Sequence, residues 1–375
     1  MVNLARKNLL HDKLRFAITV SGVAFAVTLV FVQVGLFLGL LDNASITIEK
    51  MDADLWITAP ATPNVDFGQP FPETRVQRAR SVPGVLRADN LIVGFMTVSL
   101  PTGAREGMVV YALENFGRWG VPWRLDAGRL EDLGRGQYMV LDDAATRRHG
   151  AFAVGEYREL QNQRLKIIGR SREARSFTTT PMAFVDFRRA QDLNPDDLAG
   201  KTTYVLVKLE PGADAAAVRA ELQRRLPYND VLTREEWAAK SRSYWTESTG
   251  IGLNMIVTVF LGCIVGVVIV AQTLYTSTME HVKEFGTLKA IGGSNGDIYR
   301  ILGEQALIAA VVGFVLGAVN ARLIRPAIEG LDLKMIVPPD FAVIVFGGTV
   351  FLCLAAAMVS FRKVANIDPM LVFRS

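Results

Sequence analysis

Four stretches of this chain carry no charged side chain: Phe16–Leu41 (26 residues), Ser248–Met279 (32), Gln305–Ala321 (17) and Phe341–Phe361 (21). A hydrocarbon layer of about 30 Å is crossed by about 20 apolar residues in helix. Helix is required because no water is there to satisfy a free backbone N–H or C=O. Four membrane-spanning helices are therefore predicted, at 16–41, 248–279, 305–321 and 341–361. The first is too long for the apolar core of a signal peptide and is followed by no small-residue cleavage pattern, so it reads as a retained anchor. With spans removed, the long segment 42–247 must fold as a domain of its own. It contains no cysteine, since the two in the chain, Cys263 and Cys353, both fall within predicted spans. A core, not disulfides, must hold it.

Charge excludes one class of function. The sequence pI is about 9.1, yet segment 42–247 holds 28 basic and 28 acidic residues. The surplus lies in the remainder, where 13 basic residues face 9 acidic ones, beside the spans. No basic stripe suited to tracking phosphates exists, so no nucleic-acid partner is expected. The short stretches 1–15, 280–304 and 362–375 carry 10 Lys/Arg, and the opposite loop 322–340 carries 3. Basic residues stay on the cytoplasmic side. Both termini and the loop 280–304 are thus expected in the cytoplasm, with 42–247 and 322–340 outside.

Within 42–247 the pattern is mixed. Strands are predicted at Asp54–Pro60, Tyr138–Leu141, Arg164–Ile168, Met182–Val185, Thr203–Leu209 and Val231–Leu232. Leu91–Leu100 and Gly107–Leu113 flank a Pro101-Thr102-Gly103 turn and read as a hairpin. Helices are predicted at Glu73–Val82 and Asp214–Leu226. A third starts near Thr233, where Thr-Arg-Glu-Glu is capping-box-like. The expectation is an α-helical membrane protein with four transmembrane helices and a large α+β extracytoplasmic domain between the first and second.

Chemical motifs are weak. Gly200-Lys201-Thr202 ends like a phosphate loop, but the required glycine at 195 is Pro195. Gly292-Gly293-Ser294-Asn295-Gly296 is a formal G-x-S-x-G, but helix rather than strand precedes it and the three histidines are scattered. No metal-ligand spacing occurs, the spans contain no Asp, Glu, Lys or Arg for ion coupling, and no catalytic residue, bound cofactor or metal is expected. G-x-x-x-G does recur, as Gly35/Gly39, Gly262/Gly266 and Gly313/Gly317. It implies close helix packing within a bundle or with a second copy.

The loop 280–304 is more specific. Val282, Phe285, Leu288 and Ile291 form the apolar stripe of a short helix, which needs a surface to dock into. The run Glu284-Phe285-Gly286-Thr287-Leu288-Lys289-Ala290-Ile291-Gly292 resembles the E-[FIY]-[GA]-x-L-[KR]-A-[ILM]-G signature of FtsX-like/MacB-type ABC transporter permeases. The pattern Arg6, Asn8, Leu9, Arg15 and the terminal Ile367-Asp368-Pro369-Met370 resemble the family's ends. Val23–Ala26, Tyr244-Trp245, Gly266–Tyr275 and Glu304–Ile308 are similar to its DevC branch. His281-Val282-Lys283 departs from the signature.

The resemblance implies a non-catalytic permease subunit of an ABC exporter for a lipid, glycolipid or other envelope compound. It would act as a homodimer in a bacterial inner membrane. The implied partners are a separate ABC ATPase, which uses ATP and Mg, and a periplasmic membrane-fusion adaptor with an outer-membrane channel. Glu284, Phe285, Gly286, Leu288, Lys289, Ala290 and Ile291 would form the coupling helix on the ATPase, with Gly292 and Gly293 making the turn after it. Spans one and two would carry the motion to the periplasmic domain. Residues 1–15 would lie along the inner membrane face as an amphipathic helix. Division-linked relatives imply a different output, in which the same motion regulates a wall enzyme and nothing is transported.

Overall fold

The computed structural model describes residues 13–364, apart from 175, 178–179, 281–283, 285–286, 288–292 and 332. The chain divides into two units: one holds the residues up to Gly39 and from Gly252 onward, the other is Leu40–Ile251.

The first unit contains the helices long and apolar enough to cross a membrane. Helix α1, Lys13–Lys50, has 38 residues, about 57 Å at 1.5 Å per residue. That exceeds the hydrocarbon thickness, so its last turns continue past the apolar run into the second unit. The other spanning helices belong to the C-terminal half and are labelled after those of the second unit.

The second unit, Leu40–Ile251, is built on a ten-stranded mixed sheet. The strands are β1 (Leu55–Thr58), β3 (Val85–Ser99), β4 (Arg105–Leu113), β5 (Leu125–Ala127), β6 (Tyr138–Asp142), β7 (Tyr157–Leu160), β8 (Gln163–Ser171), β9 (Met182–Asp186), β11 (Tyr204–Leu209) and β12 (Asp230–Thr233). A separate pair joins β2 (Phe71–Pro72) to β10 (Lys201–Thr202). The spatial order is β12-β1-β11-β3-β4-β9-β6-β8-β5. Strand β7 pairs with both β8 and the far end of β3, through Val98↔Leu160 and Ser99↔Glu159. Strands β3-β4-β9-β6-β8-β7 therefore close on themselves. The hairpin β3–β4 runs from Leu91↔Leu113 to Ser99↔Arg105 around the expected turn.

Side-chain alternation divides the interior. In β3 and β4, Leu91, Val93, Val109, Tyr111 and Leu113 enter one core with Trp56, Tyr204 and Trp237. Their alternate neighbours Ile92, Val98, Met108, Val110 and Ala112 enter a second core inside the closed strands. Both faces are buried, which is why these strands read as continuous apolar runs. In β1 and β11, Leu55, Ile57, Val205 and Val207 face a third core.

The second unit also holds α2 (Arg75–Arg80), α3 (Ala145–His149), α4 (Phe187–Leu193), α5 (Pro195–Leu198), α6 (Ala215–Arg225), α7 (Arg234–Ser243), a π-turn at Tyr244–Ser248 and short 3-10 turns at Phe116–Arg118 and Leu130–Arg135. Helices α2 and α6 supply Val76, Ala79, Val218 and Leu222 to the third core. Asp214 caps α6 by accepting from the N–H groups of Ala216 and Ala217. Thr233 and Glu236 form the capping box of α7.

The remaining spanning helices are α8 (Ile251–Glu280), α9 (Asn295–Glu329) and α10 (Pro339–Val364). Helix α9 is longer than the expected span at both ends. Charge marked the boundary in sequence, but Ile298, Leu302, Ala306 and Ala310 form one buried stripe that runs through it. Asn295–Glu304, assigned from sequence to the cytoplasmic loop, is therefore the start of the helix.

Candidate functional site

The expected coupling segment lies between α8 and α9. Phe285, Gly286, Leu288, Lys289, Ala290, Ile291 and Gly292 lie outside the described residues. Glu284 is helical and exposed, and Gly293 is half-buried. Next to Gly293, Ser294 restarts the helix. Its hydroxyl accepts the Asp297 N–H at 3.2 Å, and the Asp297 carboxylate accepts the Ser294 N–H at 2.8 Å. The Ser294 hydroxyl that formally resembled a nucleophile is thus a helix cap. At the other edge of the segment, the Arg15 guanidinium donates through both terminal nitrogens to the Glu280 carboxylate. This fork joins the first turn of α1 to the last residue of α8. Sequence reasoning marked Arg15 but did not find its partner, which stands 265 positions away.

Within the membrane unit, the glycines of the three G-x-x-x-G pairs all lie against other parts of the same chain. A methyl group on Gly262 or Gly266 of α8 would lie 2.7 Å from Leu29 Cδ2 or 2.9 Å from Ala26 Cβ of α1. On Gly313 or Gly317 of α9 it would lie 2.5 Å from Val23 Cγ1 or 2.7 Å from Val27 Cβ. The absent side chains let α1 approach both helices closely. Thr28 uses the gap, sharing its hydroxyl between the carbonyls of Ala24 at 2.7 Å and Gly317 at 3.2 Å. Gly35 lies beneath Met335 and accepts the Ile336 N–H at 2.9 Å, while Gly39 faces the Lys334 carbonyl. Gly22, not singled out in the sequence, receives Ile269 of α8. Helix α1 is thus the hub of the bundle.

In the second unit, the last turns of α1 are held to α7, the helix that leads toward α8. The Ser241 hydroxyl donates to the Ala44 carbonyl at 2.7 Å. Arg242 donates to Glu49 at 2.5 Å and to Ser45 at 2.8 Å. In the π-turn after α7, Trp245 stacks on Phe177 with ring centroids 3.8 Å apart and planes 10° from parallel. The Phe177 N–H in turn bonds the carboxylate of Asp66. Asp66 is buried, and burial pushes its carboxyl up to about 7 against the opposing pull of that N–H. Burial likewise raises the phenols of Tyr111 and Tyr204, and the nearby Asp66 raises them further. Asp66 lies in the Pro/Gly-rich stretch Pro60–Pro72, for which no element is predicted and where nothing signals its burial.

Gly200-Lys201-Thr202 has a structural role. Gly200 has a φ of +66°, the left-handed turn conformation that glycine permits. Lys201 and Thr202 form β10, and the Thr202 hydroxyl bonds the carbonyls of Leu91 and Tyr204.

Residues 16–225 match the MacB-like periplasmic core domain, and residues 256–369 match the FtsX-like permease C-terminal domain. Over 96% of its length the chain is 25% identical to an uncharacterized ABC transporter permease of Mycobacterium bovis, covering 95% of that protein. It is 24% identical over 244 residues to the macrolide export ATP-binding/permease protein MacB of Agrobacterium fabrum, 62% of this chain and 37% of that one. The periplasmic region of MacB from Actinobacillus actinomycetemcomitans aligns with 50% of this chain at 10% identity and a TM-score of 0.41. The chain belongs to the MacB/FtsX-type family of ABC transporter permeases, membrane subunits with an extracytoplasmic domain that work with an ATPase.

Proposed function

We propose that this chain is the non-catalytic permease of an ATP-driven, mechanotransmission-type exporter for a lipid, glycolipid or other envelope compound. It sits in a bacterial inner membrane with both termini in the cytoplasm. A separate ABC ATPase binds the segment 284–293 and consumes ATP with Mg. This chain holds neither. Phe285 and Leu288 fill a groove on the ATPase as apolar anchors. Glu284 and Lys289 set the register at the rim of that contact. Two copies of the permease pair, and the external domain engages a periplasmic adaptor and an outer-membrane channel.

The observation that carries this reading is the pair of ties along the path from loop to external domain. Arg15 and Glu280 couple α1 to α8 beside the segment that meets the ATPase. Ser241 and Arg242 couple the last turns of α1 to α7 within the external unit. In this reading, movement of the loop passes along α1 to the external domain. The absence of charged side chains from the expected spans 16–41, 248–279, 305–321 and 341–361 supports an energy source other than ion flow.

The test is gentle purification of the full-length protein and its Phe285→Ala and Leu288→Asp variants, with identification of what co-purifies. An ATPase and an adaptor, both retained by wild type and the ATPase lost from Leu288→Asp, support the reading. Retention of ATPase and transport by both variants removes the coupling assignment. A wall hydrolase in place of the adaptor replaces export with enzyme regulation.

A further inference from the structure

In the external unit, the end of α2, the start of β3 and the turn at Phe116–Arg118 border a cleft of about 350 Å³. Small-molecule sites run from about 300 to 1,000 Å³. The lining carries three arginines, Arg80, Arg87 and Arg118, against one carboxylate, Asp89. Two of the arginines are held in place. Asp89 is buried, and both of its oxygens are taken: Oδ1 accepts from Arg80 Nη2 at 2.8 Å and Oδ2 from the Trp119 indole N–H at 2.9 Å. Arg80 also donates through Nε to the Ala88 carbonyl at 2.6 Å and through Nη2 to Glu114 at 2.7 Å. Arg87 lies over the fully buried Trp119, 5.0 Å from its ring centroid. Its Nη2 donates to the Asp52 carboxylate and to the Arg118 carbonyl, each at 2.7 Å. These bonds leave Nη1 of Arg80 and Nη1 of Arg87 unspent. Arg118 is exposed, and among the described residues its guanidinium has no hydrogen-bond or ion-pair partner.

A guanidinium presents its N–H groups as a fork that matches the oxygens of an oxyanion. Three of them around one space suit a group of more than one negative charge. A phosphate monoester carries about −1.5 to −2 at pH 7. Beside the arginines, Val85 and the 53% exposed Leu86 add an aliphatic wall, which suits a short carbon body. A phospholipid seated in the bilayer is out of reach. Asp52, the partner of Arg87, follows the end of α1 at Lys50. Lys50 stands nine positions past Leu41, the end of the uncharged stretch, or about 14 Å along the helix. The polar layer of a bilayer extends only about 5–8 Å beyond its hydrocarbon core on each side.

We propose that this cleft binds a soluble phosphate monoester, its phosphate held by Arg118 with Arg80 and Arg87 and its carbon body against Leu86. The site belongs to the external unit alone and does not depend on what the protein exports.

Arg118→Ala provides the test, because it removes a side chain without a partner while the backbone carbonyl still serves Arg87. Arg148→Ala is the control: Arg148 is an exposed arginine of α3 outside the lining. Full-length protein in phosphatidylcholine nanodiscs is titrated calorimetrically with glycerol 3-phosphate at about 0.15 M salt. The expected result is saturable binding in wild type and in Arg148→Ala, weakened at least about tenfold in Arg118→Ala by the loss of charge-assisted hydrogen bonds. Arg118→Lys keeps the charge but not the fork, and should also bind more weakly than wild type. Absence of saturable binding in wild type overturns the proposal. So does unchanged binding in Arg118→Ala, or equal weakening in Arg148→Ala, which marks diffuse surface charge. A hexaglutamate peptide that displaces glycerol 3-phosphate at lower concentration gives the cleft to an acidic segment of a protein partner. Loss of binding when phosphatidic acid is added to the nanodiscs gives it to a lipid headgroup. Either result overturns the proposal as well.

Discussion

The two units of this chain fill their interiors with different kinds of side chain. In the membrane unit the helices approach closely at small residues, Gly317 against Val27 and Gly266 against Ala26, with Ala306, Ala310, Ala356 and Ala357 in the shared core. In the external unit the largest buried groups are Trp56, Trp119, Trp237, Tyr111 and Tyr204. The difference follows from the solvent. Water rewards the removal of apolar area, so a large aromatic in the core is a large gain. Lipid chains are as apolar as leucine, so helices associate through close backbone approach and dispersion instead. The membrane unit should therefore be damaged by added volume and the external unit by lost volume.

The sharpest break of that comparison is Trp237→Ala. Trp237 is fully buried, with Tyr204 at a centroid distance of 5.9 Å. Its truncation should cost about 3–5 kcal/mol, read as a lower denaturation midpoint of the external unit while the detergent-solubilised bundle keeps its helical circular dichroism. Equal loss in both units would show that the two do not melt separately.

Asp66 gives the next largest effect and one confined to the external unit. Its folded pKa of about 7 lies above the unfolded value. The folded state therefore holds the proton more tightly, and this stabilisation is complete at low pH and lost as pH rises from about 4 to about 7. The ceiling is about 4 kcal/mol, at about 1.4 kcal/mol per pKa unit. Melting temperature measured across that window should fall for wild type, and Asp66→Asn should flatten the profile. A wild-type profile already flat would show Asp66 ionised or hydrated.

Gly317→Leu should cost about 1–3 kcal/mol by overpacking against Val27. It should appear as polydispersity on gel filtration in detergent, with the external midpoint unmoved. The smallest effect belongs to Arg15 and Glu280. As a partly exposed pair it should contribute about 0–1 kcal/mol to stability. Its test is functional: Arg15→Glu and Glu280→Arg should each lower coupled ATPase activity, and the double exchange should restore it. Failure of the double variant to recover would show that the two charges act separately.

Legibility in the sequence follows the same division. The spans could be read because a bilayer accepts only uncharged helix of sufficient length. In the external unit, β3, β4 and β11 could be read because burial on both faces makes their apolar runs nearly continuous. The capping box at Thr233 is local chemistry and stood in the sequence. Strands β5 and β7 were missed. Residues Tyr157–Leu160 show only one buried side chain, Leu160, and owe their pairing to β3 and β8. The coupling segment was legible only through its resemblance to a family signature, and most of it lies outside the described residues.

The sequence by itself determined the number of spanning helices, the place of the external domain between the first two, and the family, because these depend on composition along a line and on a local motif. Tertiary structure alone decided the closure of β3 onto β7 and the role of α1 as hub. It also decided the pairing of Arg15 with Glu280 and the burial of Asp66 beneath Phe177. Each of these joins positions far apart in the chain, and an isolated glycine, arginine or aspartate carries no mark of what it will meet.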